Sequence, residues 1–355
     1  MPPEVHLAGT WEQVVAAYDQ GWEQLDYLPR VLCVEPTNGC NFACTSCPRP
    51  DGKPHLLDAA ELADWVERER DAFQAAPVWV HFSGESLLHP RLDEIMRTLR
   101  ERGVRMMLST NASRLDDRRC AMLLEAGLGL LVFSLDAARR ETYERIRIGG
   151  DFDEVQRNVR RFIALRGDRG QPVTQAQLVI SDQPLDEICE FIRIWAEEGV
   201  DTVHLKRYST RAGQLSRPAG RRDSAPPGSR CLDPWLNVVV RADGSVVPCC
   251  ADFAGRLVLG SLHEQTLAQI WNGEKARALR AAHVAGGSQL PEACRLCSDV
   301  RTPRDNESVS RCIGVPADVQ ELAELLDTVP RHLLFDVRGT VGSLAERSPE
   351  RRVRV

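Results

Sequence analysis

The sequence is poor in lysine, in long apolar runs and in surplus positive charge. Lys53, Lys206 and Lys275 are the only lysines among 45 basic residues, and 51 acidic residues bring the formal net charge to −6. A chain of that sign lacks the broad basic field that a phosphate backbone demands, so nucleic acid is not an expected partner. No uninterrupted apolar stretch approaches the roughly 20 residues of a membrane-spanning helix, so no membrane is expected either. The first thirty residues include Glu4, Glu12, Asp19, Glu23 and Asp26. They offer neither the basic start nor the apolar core of a secretory signal, and the chain reads as cytoplasmic.

What the chain does have is apolar residues and cysteine. At 43% hydrophobic it can build a real core, and its 355 residues exceed one ordinary domain. Twelve cysteines in a compartment that keeps thiols reduced point to metal or redox chemistry and not to a disulfide framework.

From residue 31 onward, short runs rich in Val, Leu and Phe alternate with helix-period segments, the signature of parallel βα units. Strands are expected over Val31–Glu35, Val78–Phe82, Val104–Leu108, Leu130–Leu135, Ala176–Ile180 and Thr202–Leu205, with helices near 58–75, 90–101, 116–126, 139–165 and 184–198. Asp58 reads as a helix N-cap, and Gly103, Gly127 and Gly199 as helix stops. Six such units cannot close an eight-stranded barrel; they suit an open, partial one whose active face gathers the loops at the carboxyl ends of its strands.

Residues 209–230 read as a linker. Beyond it, Trp235–Val240, the turn Ala242-Asp243-Gly244 and Ser245–Pro248 predict a hairpin, and Thr266–Ala282 a helix. The expected organisation is an N-terminal helical segment (1–28), a barrel (29–208), the linker, a small α+β domain (231–312) and a C-terminal extension (313–355). The extension carries one predicted helix, Asp318–Thr328, and an Arg-rich end.

The loop after the first strand reads Cys40-Asn41-Phe42-Ala43-Cys44-Thr45-Ser46-Cys47. Three thiolates within eight residues can bind three irons of a cubane and leave the fourth open to the amino and carboxylate groups of an amino acid. The competing structural zinc site normally needs four closed protein ligands, and no histidine follows before His55. A second set, Cys231, Cys249, Cys294 and Cys297, ends in Cys-x2-Cys; there tetrahedral zinc competes more strongly with a cluster. Cys250 adjoins Cys249 as a substitute ligand or a hydrogen-atom donor, with a packed thiol as the alternative. Cys33, Cys120 and Cys189 fall in strand or helix patterns and read as buried small hydrophobes.

The Cys-x3-Cys-x2-Cys loop resembles that of the radical S-adenosylmethionine (SAM) superfamily, with Ser46 where an aromatic residue is common. The resemblance extends over roughly residues 30–300. Ser83-Gly84-Glu85 is similar to the family's Gly-Gly-Glu segment, which implies that Gly84 and Glu85 hold the SAM amino group. Ser134-Leu135-Asp136 and Tyr143-Glu144-Arg145-Ile146-Arg147 resemble stretches in which the Ser and a downstream Arg contact SAM, implicating Ser134 and Arg147. The second cysteine set resembles the SPASM/twitch subfamily, in its short form with a single auxiliary 4Fe-4S cluster.

The resemblance implies an α/β fold, a partial (βα)6 barrel followed by a small α+β auxiliary-cluster domain. It also implies two 4Fe-4S clusters, SAM as cofactor and a flavodoxin- or ferredoxin-type electron donor. The implied activity is hydrogen abstraction by a 5′-deoxyadenosyl radical from a small polar metabolite, an aminocyclitol, aminosugar or nucleoside, leading to its oxidation. Maturation of a ribosomal peptide and epimerisation, decarboxylation or elimination of a sugar are the competing enzymatic readings. An iron–sulfur or zinc scaffold without turnover is the non-enzymatic one.

Overall fold

Short apolar strands, each handing over to an amphipathic helix, build most of the chain. A computed structural model describes residues 6–48, 53–216 and 228–303, with 312–313, 316, 318–328 and 332–337 beyond them. In chain order the first elements are β1 (His6–Ala8), α1 (Trp11–Gln20), β2 (Tyr27–Leu28), β3 (Val31–Val34), α2 (Ala59–Arg68), α3 (Arg70–Ala75), β4 (Val78–Trp79) and α4 (Leu92–Glu101). There follow β5 (Met106–Thr110), α5 (Asp117–Glu125), β6 (Leu130–Ser134), α6 (Arg140–Ile146), α7 (Phe152–Arg166), β7 (Val173–Ile180), α8 (Leu185–Glu197) and β8 (Thr202–Arg207). The remainder holds α9 (Asp233–Leu236), β9 (Asn237–Val240), β10 (Ser245–Val247), β11 (Gly260–Ser261), α10 (Leu267–Trp271), α11 (Glu274–Ala285), α12 (Glu292–Arg295), β12 (Cys312–Ile313), α13 (Val319–Thr328) and β13 (His332–Asp336).

Local chemistry sets these boundaries. The Asp58 carboxylate accepts from the amides of Ala60 and Glu61, and Thr10 and Gln13 form a reciprocal capping box at α1. Three helices expected to be continuous are broken. Over 139–165, α6 stops at Ile146, Gly149 turns at φ +92°, and α7 restarts where Asp151 accepts from Glu154 N. Over 266–282 the break falls at Asn272 and Gly273, and over 58–75 at Glu69. Trp235 and Leu236, expected in a strand, complete the short α9, which Asp233-Pro234 opens with proline in the first turn. Residues 1–28 contribute two parallel strands besides their helix. Half of the linker, residues 217–227, and the Arg-rich end lie outside the described residues.

The chain divides into two compact units interleaved in sequence. The first takes residues 1–41, 48–108 and 209–302. Its strand order is β11-β10-β9-β3-β4-β5, with β3, β4 and β5 parallel. The hairpin strand β9 continues this sheet in parallel with β3, Val31 facing Asn237 and Cys33 facing Val239.

The second unit takes residues 42–47, 109–208 and 303 onward, including the last residues of β5. Its order is β6-β7-β8-β13-β12, with β6, β7 and β8 parallel and β13 antiparallel to β8. The strand β13 was not expected from sequence. Ala176, Leu178, Val203 and Leu205 alternate along β7 and β8 and are buried, as are Ile188, Phe191, Ile192 and Trp195 of α8. The alternate positions Gln175, Gln177, Thr202, His204 and Lys206 give the other face a polar row.

Candidate functional site

In the first unit, β3 runs into Glu35, a carboxylate only 1% exposed. It accepts from Ser83 N at 3.2 Å and from Ser83 Oγ, and its second oxygen accepts from Ala242 N at 3.1 Å. One buried carboxylate thus pins the strand end, the Ser83 loop and the hairpin turn through charge-assisted bonds. Sequence reasoning missed Glu35; its signal was a carboxylate closing an apolar strand just before Pro36. Beyond Ser83, Glu85 N donates to Gly39 O at 2.9 Å. A Cβ on Gly84 would fall 2.3 Å from Thr37 O and 2.6 Å from Gly39 O, so only glycine permits this approach. The Glu85 carboxylate is buried, and its Oε1 caps the 3-10 turn Ser86–Leu88 by accepting from Leu87 N at 3.1 Å. Cys40 is exposed.

In the second unit, the backbone of residues 42–47 is tied to the end of α6. Ala43 N donates to Ile148 O at 2.8 Å and Thr45 N to Ile146 O at 3.0 Å. Gly150 fits against Phe42 and Tyr143, whose ring atoms would lie 2.9 and 3.0 Å from any Cβ. Arg147, between the two anchoring carbonyls, is buried; its Nη1 donates to Cys44 Sγ at 3.6 Å and its Nη2 lies 2.8 Å from Asp136 Oδ2. Burial by itself would pull the guanidinium down, but Asp136, Cys44 and Tyr143 push it above its ordinary value. Asp136 occupies the left-handed region at φ +64°. It accepts from Val179 N at 2.8 Å through Oδ1, and its carbonyl accepts from Gln183 at 2.7 Å.

Two buried atoms beside Cys44 find no partner among the described residues, the Tyr143 hydroxyl and Arg147 Nε. Orphaned polar atoms next to a thiol are what a bound polar or metal group would satisfy. At the end of β6, Ser134 Oγ lies 3.1 Å from Ser109 Oγ and accepts from Gln177 Nε2 at 3.3 Å.

The second cysteine set lies wholly in the first unit, and Cys231, Cys249, Cys294 and Cys297 line one cavity. Cys249 follows β10 by two residues, while Cys294 lies in α12 and Cys297 just past it. Small side chains leave the room: buried Ala212, Ala251 and Ala293 pack with Cys249 and Cys297. Two amides already point at sulfur, Asp299 N at Cys297 Sγ and Arg301 N at Cys231 Sγ, each at 3.3 Å. Cys250 does not line this cavity.

Burial pushes the Cys231 and Cys249 thiols well above the usual cysteine range and Cys294 up to about 12. Coordination to a metal reverses that preference by holding the sulfurs as thiolates. Four thiols around one cavity are a donor set for a metal centre, whether an iron–sulfur cluster or a zinc ion.

The comparisons agree with this chemistry. The sequence model of the radical SAM superfamily matches residues 34–204, and that of an iron–sulfur cluster-binding domain, SPASM, matches residues 231–298. The S-adenosyl-L-methionine-dependent 2-deoxy-scyllo-inosamine dehydrogenase of Niallia circulans is 22% identical over 80% of this chain and 98% of its own length. The PqqA peptide cyclase of Gluconobacter oxydans is 26% identical over 78% of this chain and 84% of its own. The crystal structure of BtrN with AdoMet and 2-DOIA superposes with a TM-score of 0.51 at 22% identity, covering 78% of this chain and 96% of that one, a likeness of fold. With a SAM-type cysteine loop opening the α/β part and four more cysteines around one cavity, the chain belongs to the radical SAM superfamily, in its SPASM branch, with SAM and 4Fe-4S clusters as cofactors.

Proposed function

We propose that this chain is a radical SAM oxidoreductase that removes two hydrogens from a carbinol of a small polar metabolite, of the aminocyclitol class. What carries the reading is the ring of Cys231, Cys249, Cys294 and Cys297 around one cavity. A cluster closed by four thiolates offers no open iron to a substrate and suits an electron acceptor. The likeness to an inosamine dehydrogenase along nearly that enzyme's whole length supports the substrate class.

In this reading Cys40, Cys44 and Cys47 hold the first cluster, Gly84 and Glu85 receive the SAM amino group, and Ser134 and Arg147 serve the same cofactor. When bound, the cluster and SAM together supply a 5′-deoxyadenosyl radical that takes a hydrogen atom from the substrate. The protein's part is to hold and orient. Glu35 fixes the Ser83 loop, and Gly84 lets backbone approach backbone.

The polar row of the second unit suits a substrate rich in hydroxyl and amino groups. Gln175 Nε2 lies 3.1 Å from His204 Nδ1, and His204 Nε2 lies 3.2 Å from His332 Nδ1. With the Gln175 amide donating, His204 carries its proton on Nε2 and donates to His332. Burial, then Lys206, lowers His204 well below the usual histidine range, so the ring stays neutral within this row of bonds.

The proposal keeps a barrel over 29–208 and an iron–sulfur domain over 231–312. It also keeps a flavodoxin- or ferredoxin-type donor and a cytoplasmic site, where free thiols persist. No described helix is long and apolar enough to cross a membrane. The peptide cyclase among the relatives supports a second reading, modification of a peptide.

Anaerobic turnover of the reconstituted enzyme with an aminocyclitol deuterated at the target carbon separates the two. Oxidation places deuterium in 5′-deoxyadenosine and yields a product two hydrogens lighter. A solvent hydrogen at that carbon would instead mark epimerisation, with Cys250 as the first donor to test, and turnover only with peptides would overturn the substrate class.

A further inference from the structure

A buried charge couple in the second unit is aimed at a sulfur. Arg147 is 8% exposed and Asp136 1%, so their charges act with little water to screen them. The guanidinium divides its two arms, one amino group to Asp136 and the other to Cys44 Sγ. A lysine, with one point of charge, could not serve both.

Neither partner is free to move. Hydrogen bonds from Ala43 and Thr45 to the carbonyls on either side of Arg147 fix it against the loop. Asp136 is held in a backbone conformation that few residues other than glycine adopt, by bonds from Val179 N and Gln183. The Tyr143 hydroxyl, buried and unpartnered beside them, adds a further donor.

We infer that Asp136 and Arg147 form a positioning couple that sets the reduction potential of the first cluster. Resting on the reading that Cys44 ligates that cluster, the guanidinium holds the Cys44 sulfur and stabilises the extra negative charge of the reduced state. Asp136 fixes how much of the positive charge the sulfur feels. Potentials of such clusters follow net charge and the hydrogen bonds to their sulfurs, which gives the couple its leverage. The sign is opposite for the two partners: loss of the cation makes reduction harder, and loss of the carboxylate makes it easier.

The test is a redox titration of the reconstituted holoenzyme followed by electron paramagnetic resonance. The first cluster is identified as the signal that changes on SAM addition. Arg147→Gln is expected to lower its midpoint potential. Asp136→Asn, whose side chain tolerates the left-handed backbone, is expected to raise it. Opposite shifts support the couple. Shifts of the same sign, or none with the signal intact, overturn it; an unchanged potential with weakened SAM binding assigns Arg147 to SAM alone. Should Arg147→Gln fail to assemble the cluster, the sign of the Asp136→Asn shift decides. A first-cluster signal that survives in Cys44→Ala overturns the underlying ligand assignment instead.

Discussion

Gly84 and Glu85 stand side by side and answer to different constraints. A methyl group at Gly84 would press on two backbone carbonyls that cannot give way, so Gly84→Ala should cost about 1–3 kcal/mol, read as a lower melting temperature together with weaker SAM binding. Glu85→Ala should lower SAM affinity about ten- to a hundredfold, from the loss of a charge-assisted bond of roughly 1.5–3 kcal/mol. A lower melting temperature with an unchanged SAM dissociation constant would leave Glu85 as the cap of Leu87 N alone. The buried His204 gives a pH dependence. Its folded form refuses a proton that the unfolded chain accepts, so stability present above the ordinary histidine value drains away as pH falls below it. Melting temperatures between pH 7 and pH 5 should therefore fall more steeply in the native protein than in His204→Gln; equal slopes would refute this. Cysteine spacing singled out the second thiol set, which the structure gathers around one cavity. Glu35 was not legible in the sequence, because its partners Ser83 and Ala242 lie 48 and 207 residues away and only the folded sheet brings them together.

At the scale of elements, the six strands of the α/β part were legible because their apolar runs have no competing reading. The helix breaks were less so. Hydrophobic periodicity passes smoothly through Ile146 and Phe152, while the interruption is written in Gly149-Gly150-Asp151, a turn and a cap that periodicity does not weigh. The strand β13 was missed because His332–Asp336 is five residues of ordinary pattern in a segment with no neighbouring unit to suggest a sheet. Its register against β8 is nevertheless firm, with Phe335 fully buried opposite Val203. Phe335→Ala should destabilise by about 3–5 kcal/mol, measurable by denaturant unfolding. A cost below about 1 kcal/mol would mean that β13 adds little to the second unit.

For the molecule as a whole, the proposed ligand sets call for about eight irons per chain. Cys294→Ala should keep the first cluster and SAM cleavage but lose the oxidised product, with iron analysis and product mass spectrometry on the same sample. Undiminished oxidation by that variant would remove the second cluster from the reaction. The parallel pairing of β9 with β3 bears on how such electron traffic is laid out. The strand that leads toward Cys40 and the hairpin that delivers Cys249 are paired in one parallel register, Val34 facing Val240 and Glu35 N donating to Val240 O. Spacing between those two thiol-bearing segments is therefore gauged by a strand register, in fixed steps of peptide geometry, and owes nothing to the length of the chain between 217 and 227. An insertion in that stretch should leave the rate of electron passage between the two centres as it was, whereas a one-residue slip of β9 would displace one terminal of the circuit and turn every side chain of the strand to the wrong face.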